Sequence, residues 1–512
     1  MTITEWPWFA VLLLAIQGML LVSFSFFAFF NFLYGWGSLR SLVIKRVPHS
    51  GRRIAVVIVS FNEEHVLEKT LKACEALTYR NKLIVLADDS TDPTVVESLR
   101  ALAKERGCVL RDSHPFIQEM ELGRRAGACE PIEIWESPGF VLFHRPKNVG
   151  YKAGSLRKVQ EYLHSRDIEL MYLLDADWHP QSDALERTLG VLEANDTTAF
   201  VQTKRISFPQ GMNLFQKYVS FVEEGCYYVD FEGRQRLGHP TLFSGCCTLF
   251  RLDAVAAVGG FTPGHLTEDL DLTDRLWLAG WKGVYDGSVV NYGEVPFTYD
   301  HYRRQQERWA SGSARALRDY FWPIITSSRL TVVEKLSAFR QNAYFTTTLL
   351  TGLAIAIGII SILWLILAWN SYPVEFYLFV IGQVKLPFVI LLYFCLLSNI
   401  IEPLVMILAK TRRYRDVLHL PMMVWYAWSV IPTYVTGNIK GLFHLNLDWF
   451  RTPKYHRDQA VGLPRSSITV RAVHIIMCVI FVGMYAAEGW VFGWFDEFAW
   501  LLLPAFVLAS MK

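Results

Sequence analysis

Two aspartates one residue apart, Asp175-Ala176-Asp177, close the apolar run "IELMYLLDADW", and a second acidic pair, Asp88-Asp89, closes "KLIVLADD". Side chains two apart on a strand share a face, so a DxD at a strand end directs two carboxylates toward one ligand. Hard oxygens suit Mg²⁺ or Mn²⁺, which in turn binds a diphosphate. A solvated strand end is the plainer reading of DxD alone. Asp88-Asp89 weighs against it, because like charges gathered at one sheet edge repel unless a cation or a donor-rich ligand joins them. "NVGYKAGSL" adds Lys152 between two glycines, which is either a surface turn or a positive charge for a nucleotide diphosphate or uracil carbonyl. Thr267-Glu268-Asp269 opens "LTEDLDLTDRLWLAGWKG", where threonine and acids serve as helix caps or supply a general base; composition does not decide. In "RRQQERWASG", Gln305, Arg308 and Trp309 stand within about one helical turn, just before the chain becomes strongly apolar. A Trp/Arg belt at a membrane surface accounts for that stretch without chemistry.

The elements around these residues alternate. Ile54–Ser60 reads as a strand, and "VLEKTLKACEAL" as a helix with Leu67, Leu71, Cys74 and Leu77 on one face. "KLIVLADDSTD" is a second strand, "PTVVESLRALAKERG" a helix opened by Pro93, and "IELMYLLDADWHP" a third strand. Strand–helix alternation predicts an α/β domain with a mainly parallel sheet covered by helices on both faces. Ligands of such sheets collect at the carboxyl ends of the strands, where the acidic pairs fall.

At 512 residues, 52% hydrophobic and 14% aromatic, the chain is too long for one small domain and richer in apolar groups than soluble proteins usually are. A formal charge of +2 gives no reason to propose nucleic acid as a partner. The eight cysteines contain no CxxC, and Cys246-Cys247 is the only adjacent pair, so a zinc ribbon or disulfide framework is not supported. An apolar stretch from about Phe9 to Tyr34 is long enough to span a bilayer and lacks a basic region before it, which predicts an anchor. Basic residues from Arg40 to Arg53 follow it, placing the N-terminus outside and the next domain in the cytosol. Further apolar runs fall at about Tyr344–Trp369, Leu386–Ala409, Val417–Leu442, Val470–Trp494 and Phe498–Ser510, with the basic "AKTRRYRD" between the second and third.

The motifs "VVIVSFNEE", "ADDSTD", "GYKAG", "LLDADW", "LTEDLDL" and "QQERW" occur in an order and spacing that resemble the processive membrane glycosyltransferases of family 2, the cellulose, hyaluronan, chitin, curdlan and mannan synthases. The single N-terminal span is most similar to the A-type cellulose-synthase-like mannan and glucomannan synthases. The resemblance covers nearly the whole chain. It implies a GT-A nucleotide-sugar-binding domain between membrane helices: residues 1–36 a transmembrane helix, 37–342 the cytosolic catalytic domain with interfacial helices, and 343–512 a membrane region.

By that resemblance Ser60, Glu63, Asp88, Asp89 and Lys152 contact the nucleotide, Asp175 and Asp177 hold Mg²⁺ or Mn²⁺, and Asp269 is the base, with Glu268 next in line. Phe243 and Gly245 of "FSGCC" line the acceptor site, although two cysteines follow the glycine here. Gln305 and Arg308 hold the leaving diphosphate, and Trp309 stacks on the acceptor sugar. "DWFRTPKY" resembles the gating loop FxVTxK, with Trp449 for Phe and Arg451 for Val; Thr452 and Lys454 then close over the nucleotide from a loop at 448–456. That loop must be cytosolic, so 417–442 is expected to be interfacial or re-entrant. The implied reaction is inverting hexosyl transfer, with UDP-glucose favoured over GDP-mannose, to the non-reducing end of a β-glycan exported through a plasma (inner) membrane. Partners are the donor, the glycan acceptor, the lipid bilayer and any accessory export or regulatory subunits. Competing readings are a glycolipid synthase and a non-catalytic scaffold or transporter.

Overall fold

The computed structural model describes residues 8–40, 43–111, 132–208, 211–350, 353, 400–445 and 475. The gating-loop residues Trp449, Thr452 and Lys454 lie outside them, as do the apolar runs at 470–494 and 498–510 and most of those at 344–369 and 386–409.

The chain begins with α1 (Trp8–Ser38) and then alternates through β1 (Ile54–Ser60), α2 (Glu64–Glu75), β2 (Lys82–Asp88), α3 (Pro93–Glu105), β3 (Val109–Arg111), β4 (Glu133–Glu136), β5 (Phe140–His144), α4 (Tyr151–His164), β6 (Leu170–Asp175) and β7 (His179–Pro180). It continues through α5 (Ala184–Leu192), β8 (Thr198–Ser207), α6 (Leu214–Gly225), a π-turn at Cys226–Phe231, α7 (Glu232–Leu237), β9 (Thr248–Arg251), α8 (Leu252–Ala257), α9 (Glu268–Leu278) and β10 (Lys282–Gly293). Among the described residues four more α-helices follow: α10 (Tyr299–Thr326), α11 (Val332–Asn342), α12 (Leu420–Ser429) and α13 (Ile431–Leu442).

β1 is a β-branched run buried on both faces, as central parallel strands are. Its Ile54, Val56 and Ile58 face a core with Leu67, Leu71 and Cys74 of α2 and Leu99 of α3. Ala55 and Val57 face the opposite core, with Leu156 and Val159 of α4 and Leu272 of α9. Helices therefore cover both faces. Asp92 caps α3 by accepting from the Thr94 amide, and Pro93 occupies the first turn, where its missing N–H costs nothing.

The sheet is mixed rather than mainly parallel, with strand order β3-β4-β5-β2-β1-β6-β9-β8-β10-β7. Only β5-β2-β1-β6 forms a continuous parallel run. The short turn from β4 to β5 forces an antiparallel pair, and β9 enters antiparallel between β6 and β8. This departure builds the site. Because β9 opposes β6, the Phe243–Cys247 loop before β9 arrives at the carboxyl end of β6. β8 and β10 then run in the direction of β6 and end at the same edge.

Among the described residues, Gly18–Ser38 of α1 is the one helical stretch long and apolar enough to cross a membrane. Its far end is seated on the α/β domain. Tyr34 is fully buried, with its hydroxyl 3.0 Å from Ser337 Oγ and 3.1 Å from His239 Nδ1, and Arg340 donates to Asn31 Oδ1 at 2.5 Å. The basic stretch after the second C-terminal apolar run pairs with carboxylates of the same domain, Lys410 with Glu232 at 2.7 Å and Arg413 with Glu224 at 3.1 Å. Segment 417–442 forms two short helices, of 10 and 12 residues, broken at Val430 just before Pro432. Neither reaches the roughly 20 residues a span requires.

Candidate active site

Ser60, Asp88 and Asp175 are the last residues of β1, β2 and β6, and their register sets Ser60 beside Asp88 and Val59 beside Asp175. In front of these ends lies a cavity of about 180 Å³ lined by residues at or just beyond the ends of β1, β2, β6, β8 and β10, by the loop before β9, and by α4, α6, α9 and α10. It brings together Ser60, Glu63, Asp89, Lys152, Asp175, Asp177, Gly245, Glu268, Asp269, Gln305, Arg308 and Trp309, all expected from the sequence. Asp177 stands in the turn after β6 rather than on the strand, so that turn, and not strand alternation, brings the two aspartates to one cavity.

Two expected residues do not line it. Asp88 is fully buried behind the strand ends, where its carboxylate accepts from Ser90 and pairs with His144 at 2.8 Å. Phe243 is fully buried against Phe250, with ring centroids 4.8 Å apart, and its contribution is to anchor the loop. Aromatic bulk behind a glycine-containing turn is packing, and the cavity wall is Ser244 and Gly245.

Lys152 is the hub. Its Nζ lies 2.5 Å from Asp175 Oδ1, 2.8 Å from the Gly245 carbonyl and 3.6 Å from Glu268 Oε1, joining α4, β6, the pre-β9 loop and α9. Burial opposes its charge, but Asp175 and Glu268 outweigh that and hold the ammonium above the ordinary lysine value. Asp89 is gripped by both nitrogens of the Arg145 fork, Nε at 2.7 Å, and by Ser155 Oγ at 3.1 Å. Gly245 has φ +90°, and a Cβ there would meet Asp269 Oδ2 at 3.4 Å, so glycine lets the backbone run beside that carboxylate.

Thr267 occupies the N-cap position of α9 but its hydroxyl caps nothing, and Asp269 Oδ1 accepts from the Leu270 amide at 2.9 Å. Capping therefore does not explain Thr267, whereas Asp269 satisfies a free amide of the first turn with one carboxylate oxygen and keeps the other beside Gly245. Burial raises both Glu268 and Asp269 above ordinary carboxyl values, while Lys152 and Arg308 temper the rise.

Eight carboxylates line the cavity (Glu63, Asp89, Asp175, Asp177, Glu223, Glu268, Asp269 and Glu294) against three cations, Lys152, Arg205 and Arg308. Glu223 is pushed up to about 7 by burial and by the adjacent Asp177 and Glu224, against the pull of Arg205. Such an excess of hard oxygen donors fits a divalent cation. Among the described residues no cluster of three ligating side chains is assembled; Asp177 and Asp175 are the pair that would hold a divalent ion here, with its remaining oxygens to come from a ligand such as a diphosphate. Five lining residues keep a buried polar atom without a hydrogen bond: Ser60 Oγ, Asn148 Oδ1, Arg205 Nε, Gln305 Oε1 and Arg308 Nε. Buried orphans are costly, and their convergence on one cavity marks a polar ligand's place.

The helix carrying Gln305, Arg308 and Trp309 is held from two sides by glycines. A Cβ at Gly312 would overlap the Thr267 side chain, and Cβ atoms at Gly437 and Gly441 of α13 would press on the Glu307 and Ser311 carbonyls. This small-residue contact lets α10 approach α9 and α13 closely. Lys440–Glu307 at 2.6 Å and Tyr434 Oη to Gln306 at 3.0 Å fix the register. Gly312→Ala gains about 1 kcal/mol of helix propensity but overpacks against Thr267, which costs roughly 1–3 kcal/mol. The expected net result is a lower unfolding temperature and lower activity, with recovery in the Gly312→Ala/Thr267→Gly double variant, which removes the Thr267 Cβ as well. A more stable Gly312→Ala single variant would contradict the close approach.

Arg205, Glu223, Glu294, Trp178 and Asn148 line the cavity without having been singled out from the sequence. Asn148 lay inside a quoted motif and Trp178 directly after the DxD pair. The other three belong to no motif: Arg205 and Glu294 reach the site because β9 inserts and turns β8 and β10 toward it, and Glu223 comes from α6.

The matches to known proteins agree with this geometry. Residues 170–510 match Glycosyl transferase family group 2, and residues 55–116 match Glycosyl transferase family 2. Probable glucomannan 4-beta-mannosyltransferase 9 of Oryza sativa subsp. japonica is 28% identical over 291 residues, 55% of this chain and 49% of that protein. Glucomannan 4-beta-mannosyltransferase 9 of Arabidopsis thaliana is 29% identical over 291 residues, 55% of this chain and 48% of its own. The chain spans about half the length of the curated relatives it matches. A solved mannosyltransferase, PcManGT from Pyrobaculum calidifontis in complex with GDP-Man and Mn2+, superposes with a TM-score of 0.50 at 16% identity, covering 84% of this chain and 100% of that one, a likeness of fold alone. With a family match over more than half its length and a mixed α/β sheet that gathers acids at one edge, the chain belongs to glycosyl transferase family group 2.

Proposed function

We propose that the chain is an inverting mannosyltransferase that moves mannose from GDP-mannose to a hydroxyl at the non-reducing end of a β-1,4-linked mannan or glucomannan. The observation that carries this reading is the convergence of unpartnered buried polar atoms with eight carboxylates in a single cavity at the carboxyl ends of β1 and β6. GDP-mannose takes the place of UDP-glucose as the favoured donor because the named relatives are glucomannan 4-beta-mannosyltransferases.

Of the lining residues, Ser60, Glu63, Asp89 and Asn148, beyond the ends of β1, β2 and β5, are assigned to the nucleotide, and Asp175 and Asp177, beyond the end of β6, to the diphosphate and its metal. A divalent ion held by the two aspartates would neutralise the diphosphate as it leaves. Asp269, with a carboxylate oxygen directed toward Gly245, takes the proton from the acceptor hydroxyl. That oxygen attacks the anomeric carbon, the bond to the diphosphate breaks, and a single displacement inverts an α-linked donor to a β-linkage. Arg308, whose Nε has no partner, offers charge-assisted hydrogen bonds to the departing diphosphate. Lys152 stays paired with Asp175 and Glu268, so it holds the walls together more than it meets the ligand.

We place α1 across the membrane and residues 37–342 in the cytosol, with 417–442 at the interface and 448–456 as a loop over the donor. The pairing of Lys410 and Arg413 with Glu232 and Glu224 supports one side for the catalytic domain and the basic 410–416 stretch.

A paired experiment tests the division of labour on α10. Trp309→Ala removes an aromatic platform worth about 0.5–1.5 kcal/mol beyond its buried area, so GDP binding should persist while product shortens or donor is merely hydrolysed. Arg308→Ala should weaken GDP binding itself. Full-length product at the normal rate from Trp309→Ala would remove the stacking role.

A further inference from the structure

Arg205, near the end of β8, is a cation in the cavity that Glu223 attracts electrostatically but that no carboxylate among the described residues approaches closely enough to pair with. Its Nε is buried without a hydrogen bond. Its guanidinium lies 5.2 Å from the Trp178 ring centroid and 5.0 Å from that of Tyr227, and Nη1 donates to Cys246 Sγ at 3.2 Å. Two aromatic faces and one thiol hold the group rigidly but do not replace the strong acceptors it loses on leaving water. Tyr227 is itself tied down, with Oη 2.8 Å from Ser244 Oγ. Such an arrangement holds a planar donor fork in readiness for a ligand.

The strand order says which part of the ligand that is. From β1, where Ser60 and Glu63 are assigned to the nucleotide, the sheet passes through β6 and β9 to β8. Three strand steps at ~4.8 Å each put the β8 end roughly 14 Å across the sheet from β1. The DxD pair follows β6, one step from β1. Arg205 therefore lies beyond the reacting centre, on the side away from the nucleotide. Its neighbours there suit a sugar: Glu223 and Glu294 bring carboxyl groups that bond hydroxyls.

We propose that Arg205 is a specificity-determining residue that donates from its guanidinium edge to neighbouring hydroxyls of the acceptor glycan. This rests on the transferase reading and names the substrate part and the residue that selects it. An uncharged polyol satisfies both the guanidinium and the carboxyl groups beside it, whereas an acidic sugar meets Glu223, Glu294 and Asp177 at the same end.

The test is binding, with no turnover required. Full-length protein in nanodiscs is titrated with GDP plus Mn²⁺, and then with β-1,4-mannotetraose in their presence, for wild type, Arg205→Lys and Arg205→Met. Arg205→Met keeps the stem packed between the two rings, and its GDP titration serves as the control for folding. The expected result is unchanged GDP affinity with mannotetraose binding weakened about tenfold to a hundredfold in Arg205→Met, the range for losing a charged hydrogen bond, and partial recovery in Arg205→Lys. In wild type, mannotetraose should bind more tightly than an oligomer of mannuronate. Unchanged mannotetraose affinity in Arg205→Met, no oligosaccharide binding by wild type, or a loss confined to GDP would each overturn the assignment. Loss of mannotetraose binding in Arg205→Met, in a protein that never consumes GDP-mannose, would uphold Arg205 and remove the donor reading instead.

Discussion

Replacing Asp269 with asparagine is expected to slow mannosyl transfer by about 10²- to 10⁴-fold, the usual contribution of general base catalysis, while GDP and Mn²⁺ still bind. The amide preserves shape and can still accept from the Leu270 amide at 2.9 Å, so the first turn of α9 stays in place. What it loses is the ability to take a proton. The same residue sets a pH limb. Burial disfavours the ionised carboxyl, and Lys152 and Arg308 do not fully offset it, so Asp269 stays above the ordinary aspartate value of 3.8. The base works only when ionised, so kcat/KM should fall toward acid with a midpoint above that value. Arg308→Gln removes a stabilising cation and should move the residual limb further alkaline. An Asp269→Asn enzyme near the wild-type rate would pass the role to Glu268, the next carboxylate of the same turn.

Asp177→Ala should lower activity by more than about 100-fold, because even groups that merely support a metal ligand cost 10- to 100-fold. Folding should be spared. Asp177 sits in a turn among like charges and raises Glu223, so its removal relieves repulsion and should bring Glu223 below about 7. Mn²⁺ binding in the presence of GDP, followed by electron paramagnetic resonance, should disappear in the variant. Undiminished wild-type activity in excess EDTA would exclude the metal role. Under the proposed metal role Asp175 would be the weaker ligand of the pair, because Lys152 already holds it at 2.5 Å.

Much of the central sheet was legible in the chain. β1 is Ile54–Ser60 as its β-branched run predicts, and Leu67, Leu71, Cys74 and Leu77 are all buried, as their helical spacing requires. The insertion of β9 was not legible, since strand order depends on pairings between segments such as 170–175 and 248–251 that local periodicity does not encode. The same limit applies to the site. Motif residues such as Asp177, Asp269 and Arg308 meet in the cavity, whereas Asp88 and Phe243 are buried behind its wall. Arg205 and Glu294 could not be found without knowing that β8 and β10 end at the DxD edge. Gly312, Gly437 and Gly441 are equally silent as letters, and they gain meaning only from the helices pressed against them.

Donor choice is the most direct test of the central claim. Full-length protein in nanodiscs, with Mn²⁺ and β-1,4-mannotetraose, is given radiolabelled GDP-mannose or UDP-glucose in parallel, and the product is digested with a β-1,4-mannanase. The account predicts label from GDP-mannose in an oligosaccharide that the mannanase cuts, with little transfer from UDP-glucose. Label only from UDP-glucose, or label carried solely into a lipid extract, would contradict it.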